Sequence, residues 1–492
     1  MPKPALRPAA RDRLTEEEFF TERAGVLASW PTGQEADLDE AVAWHRALPE
    51  AKAAPPLFRR ARQLARPLVY PRTGVASLAR HLDDVQQLYQ AGAELLCTHA
   101  DSYTRTRRFE EGQRALEESL RRDVSLLNGV PVVNYGARKM REVVAATPIA
   151  NQFRQGTPEG RLASETVYAA GYRSMLGGIL GSVPHMRDMP IGECIRNWQY
   201  VDRLVGEYES RGVSLHREYY GALMGMVMPP SLMCTCLVLD ALLAAQQGVR
   251  HLSLGLNNNL HLRQDVAAIK VLDRLVREYL DRYGFTEVEA TPVLHMWMGP
   301  FPPEPAKAYS LITLGAFTAA YAGAAGVIVK TADEAIGCPS TEANVAATRL
   351  TRACVEVAAG QHYPDSAALA AEMDQIEVEA RQILEATLRL GDGAIGPAIE
   401  EAFAIGYIDI PLAPAKCNAG RAISVRDSDG AVRYLDCGNI PFSDEVKRFN
   451  AERVRARATA WHAEASYKLV LHDFSAKAFE APPLDLEVAS SG

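Results

Sequence analysis

The pattern of apolar and polar positions is regular between about residue 67 and residue 331. Short apolar runs alternate there with polar loops and with helical patterns in which apolar residues recur every three or four positions. Strands alternating with helices over roughly 250 residues favour a (β/α)8 barrel of the TIM type, and a doubly wound open sheet is the alternative.

Nine apolar runs are strand candidates for a fold that takes eight strands. Periodicity leaves open which run is extra, although those at 130–136 and 172–178 have the weakest pattern. The nine candidates cover residues 68–71, 94–100, 130–136, 148–153, 172–178, 213–221, 251–257, 287–297 and 326–331.

Helical patterns fill most of the gaps between these runs and also flank them. Several end at a glycine, which adopts the left-handed conformation common just past a helix C-terminus. The predicted helices cover residues 76–91, 198–211, 265–283, 341–359, 366–391 and 443–465.

The pattern divides the chain into three parts. Residues 1–62 form a predicted helical N-terminal segment, 63–360 the barrel, and 361–492 a helical and hairpin extension. Asp429-Gly430 is a strong hairpin signal in that extension, and Ser443 is a candidate N-cap for its last long helix.

Composition excludes some functional classes. The 492 residues are 48% hydrophobic and 23% charged with a net charge of -8, which is typical of a soluble globular protein and argues against a general nucleic-acid binder. The N-terminus lacks the apolar core of a signal peptide, and no run is convincing as a membrane span, so we expect a cytoplasmic protein. Among the eight cysteines only Cys234 and Cys236 are close in sequence, and reduced thiols are favoured over a metal site.

Three arginines lie where predicted strands stop. Arg72, Arg105 and Arg154 each follow an apolar run, and Thr157-Pro158 is a candidate helix start directly after the third. The carboxyl ends of barrel strands meet at one mouth, and converging guanidinium groups suit a mono- or dicarboxylate. Ordinary salt bridges are the alternative for each arginine.

Two further polar pairs lie at strand ends. Lys330 and Glu334 are four residues apart, a spacing typical of a plain ion pair on a helix and also suited to holding a sugar hydroxyl. His216 and Glu218 alternate along one strand, as a functional pair or as a buried structural one. The sequence lacks GxGxxG after a strand, a P-loop, HExxH, GxSxG and paired CxxC motifs, so nucleotide hydrolysis, zinc proteolysis and serine hydrolysis are disfavoured.

Ordered segments along nearly the whole chain point to one family. They include WPTGQEADLDEAV, PRTGVASL, DSYTRTRR, GTPEGRL, NWQYVDRLVGEYESRGV, HREYYG, HMWMGPFP, VIVKTADEAIG, DIPLAPAKCNAG and VRYLDCGNIPF. With these segments the chain resembles the large (epsilon) subunit of glutamate mutase, also called methylaspartate mutase.

The resemblance implies a (β/α)8 barrel enzyme that depends on adenosylcobalamin. A 5′-deoxyadenosyl radical abstracts hydrogen from L-glutamate, which fragments and recombines as (2S,3S)-3-methylaspartate. A separate small subunit binds cobalamin through an Asp-x-His-x-x-Gly motif, which none of the eleven histidines here matches. A homodimer of large subunits flanked by small ones, a hetero-tetramer, is the implied assembly.

The resemblance also assigns roles to individual residues. Arg72, Arg105 and Arg154 match the arginines that bind the substrate carboxylates. The positions that match cofactor contacts are Gly74, Asn128, Pro184, Tyr220, Met298, Phe301, Lys330, Glu334 and Cys338, with Lys330 and Glu334 on the adenosyl ribose. No metal ligands are predicted.

The departures from the family follow Arg154. A family histidine is here Gln155, and the glutamate that contacts the substrate amino group is here Leu176. His185 stands where the second of two family tyrosines is expected, and is predicted as a catalytic or pocket-lining residue. Losing the carboxylate partner of a buried ammonium costs about 3–5 kcal/mol. An altered, amine-free substrate or a non-catalytic homologue is therefore the alternative to the glutamate reaction.

Overall fold

The structure, a computed structural model, describes residues 12–221, 226–335, 337–462 and 464–474. The N-terminal segment is helical as predicted. Thr15 caps its first helix, and Thr15 and Glu18 form a reciprocal capping box. The helices are α1 Glu16–Ala28, α2 Leu38–Ala47 and α3 Ala54–Gln63, with short 3₁₀ helices at Pro31–Glu35 and Glu50–Lys52.

Parallel strands close into a barrel, which confirms the predicted fold and excludes the open sheet. β1 pairs with β9 and β2 pairs with β3, and only Pro71 separates β1 from β2. The two short segments therefore occupy one of eight barrel positions. The strands are β1 Leu68–Tyr70, β2 Arg72–Thr73, β3 Leu96–His99, β4 Asn151–Arg154, β5 Ser174–Leu176, β6 His216–Tyr220, β7 His251–Asn257, β8 Glu289–His295 and β9 Gly326–Ile328.

Helices follow the strands and cover the outside of the barrel. Predicted helix positions are confirmed within a few residues, although the second of them begins earlier, at Ile191. The helices are α4 Leu78–Gln90, α5 Ser102–Arg105, α6 Phe109–Arg122, α7 Val132–Ala145, α8 Arg161–Ala170, α9 Ile191–Ser210, α10 Pro230–Gln247, α11 Leu262–Arg282, α12 Pro305–Ala322 and α13 Thr341–Val357.

The extra strand candidate, 130–136, is the start of helix α7. Val130 makes only an isolated bridge to Ala100, and Pro131 has no N–H to extend a strand ladder. Gly136 has a φ of 77° inside the helical segment, where a Cβ would lie 2.6 Å from Glu35 Oε2. The apolar run is buried as a helix face rather than as a strand.

The predicted helix start at Thr157-Pro158 is wrong. Helix α8 begins at Arg161 with Gly160 as its N-cap. The carbonyl of Thr157 instead accepts a hydrogen bond of 3.2 Å from the Trp198 indole. This contact with α9 holds the backbone around Thr157 in a buried loop. The helix therefore does not begin at Pro158.

The C-terminal extension packs against the barrel helices. Gln264 of α11 bonds to the backbone of Val432, and Glu372 pairs with Arg433 in the buried interior of the extension. The predicted hairpin at Asp429-Gly430 is confirmed. The elements are α14 Ala367–Leu390, α15 Ile395–Ile405, β10 Ile423–Arg426, β11 Val432–Asp436, α16 Asp444–Ala460 and α17 Tyr467–Asp473.

Helix α10 passes a length and composition test for a membrane span, the one helix of the described residues that does so. In the fold, 94% of it is buried. It packs against α11 and α14 as well as against strands β6 and β7.

The interior of the barrel is unusually polar. Strand register places paired residues on the same level, with their side chains on the same face of the sheet. One level contains Cys97, Gln152, Ser174 and His216. The next level toward the carboxyl ends contains His99, Arg154, Leu176, Glu218 and Ser253.

Candidate active site at the carboxyl end of the barrel

The three predicted arginines converge at the carboxyl ends of neighbouring strands. Arg72 lies in β2, Arg105 ends α5 just after β3, and Arg154 ends β4. His99 lines the same cleft as Arg72 and Arg105 and pairs in strand register with Arg154. Burial and the charges of the three guanidinium groups hold the pKa of its imidazole well below the ordinary value. The structure therefore brings the three cations to one place.

A cleft of about 740 Å³ opens at this mouth. Gly74 lies in its wall, where a Cβ would stand 2.8 Å from the carbonyl oxygen of His99, so the loop after β2 needs a glycine at this close approach. The cleft is lined by six of the predicted site residues: Arg72, Gly74, Arg105, Asn128, Glu334 and Cys338.

Arg154 is fixed from below by a buried hydrogen-bond network. Its Nη1 donates to Glu218 Oε1 at 3.0 Å and to Gln152 Oε1 at 2.5 Å, and its Nη2 bonds to the Tyr220 hydroxyl. Glu218 Oε2 accepts further bonds from Gln152, from Ser253 and from a third side chain, Tyr70. Arg154 is thereby held in one orientation beside His99, its register partner, which lines the cleft.

Arg72 and Lys330 share one carboxylate. Glu334 lies 2.9 Å from Arg72 Nη2 and 2.6 Å from Lys330 Nζ, and these two cations hold the pKa of Glu334 below its ordinary value against the effect of burial. Burial, with Arg72 next in effect, lowers the pKa of Lys330 to about 8. The predicted ion pair is present, and Glu334 remains partly accessible from the cleft.

The three positions that were predicted to depart from the family lie on the same side of the barrel. Leu176, 3% exposed, belongs to a cluster of buried apolar side chains that includes Cys97 and Tyr220. Gln155 is buried and donates to the carbonyl of Glu159. His185 ends the 3₁₀ helix Leu180–His185 and is exposed. Partial desolvation and Arg105 lower its pKa.

The other predicted cofactor contacts also lie at the mouth. Pro184 is buried in the 3₁₀ helix before His185, and Tyr220 ends β6 next to Arg154. Met298 and Phe301 follow β8 in the loop that precedes α12, with Phe301 buried and Met298 partly buried. The predicted set is thus spread around one mouth, although only part of it lines the cleft.

The sequence analysis missed His99 as a site residue. It is the last residue of β3 and pairs in register with Arg154, so its side chain faces the same interior. The signal was available, since His99 is the second-last residue of the strand candidate 94–100 and Arg154 directly follows the candidate 148–153. The contributions of Tyr70, Gln152 and Ser253 had no sequence signal, because their contact depends on barrel closure.

Comparison with known proteins agrees with this arrangement. Residues 48–480 match the family model described as Methylaspartate mutase E chain (MutE). The chain belongs to this family. It is 43% identical over 470 residues to the glutamate mutase epsilon subunit of Desulfitobacterium hafniense, covering 94% of this chain and 97% of that protein. It is 39% identical to the protein of the same name from Treponema denticola, covering 94% and 96% of the two chains.

Among solved structures, a putative fructose-1,6-biphosphate aldolase from Coccidioides immitis aligns with 63% of this chain and 97% of its own length. The sequence identity is 14% and the TM-score is 0.33, so this likeness carries no argument about the site. Family membership therefore rests on the sequence matches, and the barrel rests on the strand pairing described above.

Proposed function

We propose that this chain is the catalytic large subunit of an adenosylcobalamin-dependent carbon-skeleton mutase that interconverts L-glutamate and (2S,3S)-3-methylaspartate. The names of its relatives and its family support the reaction class. The observation that carries the proposal is the placement of Arg72 and Arg105 in one cleft with His99, whose register partner is Arg154, at the mouth of a closed barrel. Both compounds of this isomerisation are dicarboxylates, so the same cations serve substrate and product.

The arginines differ in what they offer to a substrate. Arg154 is anchored to Glu218 and Tyr220, and Arg72 is anchored to Glu334. Arg105 Nε donates only to its own helix at the carbonyl of Asp101, and the side chain lines the cleft. A dicarboxylate bridging these groups gains charge-assisted hydrogen bonds that fix its orientation.

Residues at the mouth fit an adenosylcobalamin cofactor in their chemistry. Lys330 and Glu334 provide a cation and a partly accessible carboxylate for ribose hydroxyl groups. Phe301 is a buried aromatic residue of the loop after β8 at the same mouth. The further positions that would contact the cofactor are Gly74, Asn128, Pro184, Tyr220, Met298 and Cys338. When bound, the cofactor supplies the organic radical that starts the rearrangement.

The barrel itself protects such a reaction. The level below the arginines is closed by buried side chains, and helix α3 covers the opposite end with Phe58 stacked on His216 at 4.1 Å. Water can then reach the site only through the mouth, which the proposed partner subunit would cover. This partner is a small cobalamin-binding subunit with an Asp-x-His-x-x-Gly motif, flanking a homodimer of large subunits in a hetero-tetramer. Both subunits would act in the cytoplasm.

A second candidate function follows from the presence of Leu176 at the predicted amine-contacting position. This apolar residue lies between Arg154 and Glu218 in the strand register, so β5 offers no polar side chain to a substrate amino group at this level. A mutase for an amine-free dicarboxylate is therefore the alternative, and a non-catalytic homologue is the remaining one. His185, at the edge of the mouth, and buried Gln155 are proposed substrate-side residues in either case.

The test is reconstitution with a cobalamin-binding small subunit and adenosylcobalamin. Electron paramagnetic resonance should show an organic radical coupled to cobalt(II) when L-glutamate is added, with 3-methylaspartate formed. A signal with glutarate but none with L-glutamate would favour the amine-free substrate. Absence of any radical with L-glutamate, 3-methylaspartate and glutarate would contradict a mutase function.

A further inference from the structure

His99 is a polar residue of the cleft to which the family resemblance gave no role. It ends strand β3 directly beside Arg154 on β4, and register places both side chains on the inner face of the barrel. Unlike the buried residues below it, His99 is only partly buried and lines the cleft together with Arg72 and Arg105. A ligand bound between these arginines therefore meets the imidazole ring.

The hydrogen bonding of His99 fixes which ring nitrogen carries the proton. Its Nδ1 lies 2.8 Å from the carbonyl oxygen of Ala100, and a carbonyl oxygen only accepts hydrogen bonds. Nδ1 is therefore the protonated nitrogen, and Nε2 carries a lone pair. Burial and the three neighbouring guanidinium groups lower the pKa of the ring, so the imidazole stays neutral and keeps this acceptor at neutral pH.

Three acceptors near the arginines are already engaged. Glu334 is shared by Arg72 and Lys330, and Asp101 accepts bonds from the backbone and hydroxyl groups of the helix that it caps. Asn128 Oδ1 accepts the backbone N–H of Ser102. A neutral acceptor also has a specific advantage here, because a carboxylate at this position would pair with the arginines that the substrate needs.

His295, at the end of β8, has the same arrangement but not the same access. Its Nδ1 lies 2.7 Å from the carbonyl oxygen of Met296, so Nε2 is again the acceptor. The ring is 1% exposed and packs edge-on against Tyr220. His99 is thus the imidazole that a substrate can reach from the cleft.

We propose that Nε2 of His99 accepts a hydrogen bond from the 2-amino group of L-glutamate and that His99 is a specificity-determining residue of this site. The inference rests on the proposed function, and it names the group that recognises the amine where Leu176 offers none. The two substrate carboxylates neutralise the arginine charges, after which the ammonium group donates to the neutral ring. His99 then distinguishes L-glutamate from glutarate, which has the same carboxylates and no amine.

The experiment measures binding of L-glutamate and glutarate by calorimetry to the large subunit assembled with its cobalamin subunit. His99→Ala should weaken L-glutamate binding roughly 10–100-fold, the effect of losing one hydrogen bond to a charged group, and leave glutarate binding within about twofold. His99→Gln, which keeps an acceptor oxygen, should recover part of the loss. Glu342→Gln, a change of another cleft-lining side chain, is the matched control and should change neither ligand.

Equal weakening of both ligands by His99→Ala would overturn the inference, because it would indicate a structural role. Unchanged binding of L-glutamate in His99→Ala would also overturn it. Circular dichroism of each variant identifies a folding defect, and His99→Gln keeps the comparison valid if the alanine variant is unstable. Failure of the proposed function is distinguishable, since it would appear as absence of radical and product in the wild-type assembly.

Discussion

At the scale of single residues, the contribution of an arginine to stability depends on its carboxylate partner and on how deeply the pair is buried. Arg154 and Glu218 form a fully buried pair, whereas Arg59 and Glu289 form a bidentate pair that is about half exposed. Exposed pairs contribute little because water and salt screen them, while a buried charge without its partner is costly. In the proposed site, Glu218 is therefore a positioning residue, which would act on substrate only through Arg154.

Glu218→Gln should lower stability by about 3–5 kcal/mol, since Arg154 would remain as a buried charge without its carboxylate. A dicarboxylate that binds Arg154 would partly replace the missing charge. The melting temperature should therefore rise more on adding substrate in the variant than in the wild type. Glu289→Gln is the control and should change stability by less than about 1 kcal/mol. Equal effects of the two substitutions would contradict the positioning role.

The lowered pKa of buried Lys330 predicts that the stability of the protein depends on pH. Burial lowers its pKa in the folded protein to about 8 from an ordinary value of 10.5. Between these values the unfolded chain binds more protons, so the free energy of unfolding rises with pH by up to about 3 kcal/mol. Lys330→Met should remove this rise. Urea unfolding of both proteins at several pH values from about 7 to 10 tests it, and a pH-independent difference between them would refute the assignment.

At the scale of elements, packing partners decided which apolar runs became strands. The run at 130–136 reads as a strand but folds as the start of α7, because Pro131 cannot extend a ladder and β4 already pairs with β3. The run at 172–178, which looked equally weak, is strand β5 because β4 and β6 flank it. The outcome at 172–178 depends on neighbouring strands, whereas Pro131 is a signal against a strand within the run 130–136 itself.

Helix α3 closes the amino end of the barrel, and Phe58 is its anchor. The ring is 3% exposed, stacks on His216 and meets Tyr70 edge-on. Phe58→Ala should lower the free energy of unfolding by about 3–5 kcal/mol, as is usual for a large aromatic core residue. Binding of L-glutamate at the opposite end should be unchanged.

Leu64, which follows α3 and is 51% exposed, provides the matched control. Leu64→Ala should change stability by no more than about 0.5 kcal/mol in the same denaturation experiment. A small effect of Phe58→Ala would mean that α3 is not needed to close the barrel.

At the scale of the whole molecule, the C-terminal extension completes the surface of the barrel. Helix α10 is buried on nearly all sides, and α14 packs against both α10 and α11. The predicted boundary at residue 360 therefore separates two parts that share a large apolar contact. The barrel and extension form one cooperative structure if that contact is needed for folding.

A chain ending at residue 360 tests whether the barrel folds without the extension, because it would expose the apolar face of α10. We expect it to bind the dye ANS and to lack a sharp thermal transition, whereas the full chain should show one transition and no dye binding. Adding residues 361–492 as a separate chain should restore part of the transition. A stable, monomeric 1–360 fragment would instead support an independent barrel domain.

The sequence by itself determined the alternation of strands and helices, which favoured a barrel over the open sheet that the strand pairing later excluded. It also placed Arg72, Arg105 and Arg154 at strand ends and carried the family resemblance through its ordered segments. These features are local, since periodicity and strand-end positions depend only on residues that are close together in sequence. The sequence also predicted that the segment after Arg154 is the place where this chain departs from its relatives.

Only the tertiary structure decided which side chains meet. His99 lies beside Arg154, and Glu218 lies beneath it, because strands distant in sequence pair in a fixed register around a closed barrel. Likewise the lowered pKa of His99 follows from its burial and from three arginines that lie far from one another in sequence. Register, closure and electrostatic environment depend on all the strands together, so no single stretch of sequence could specify them.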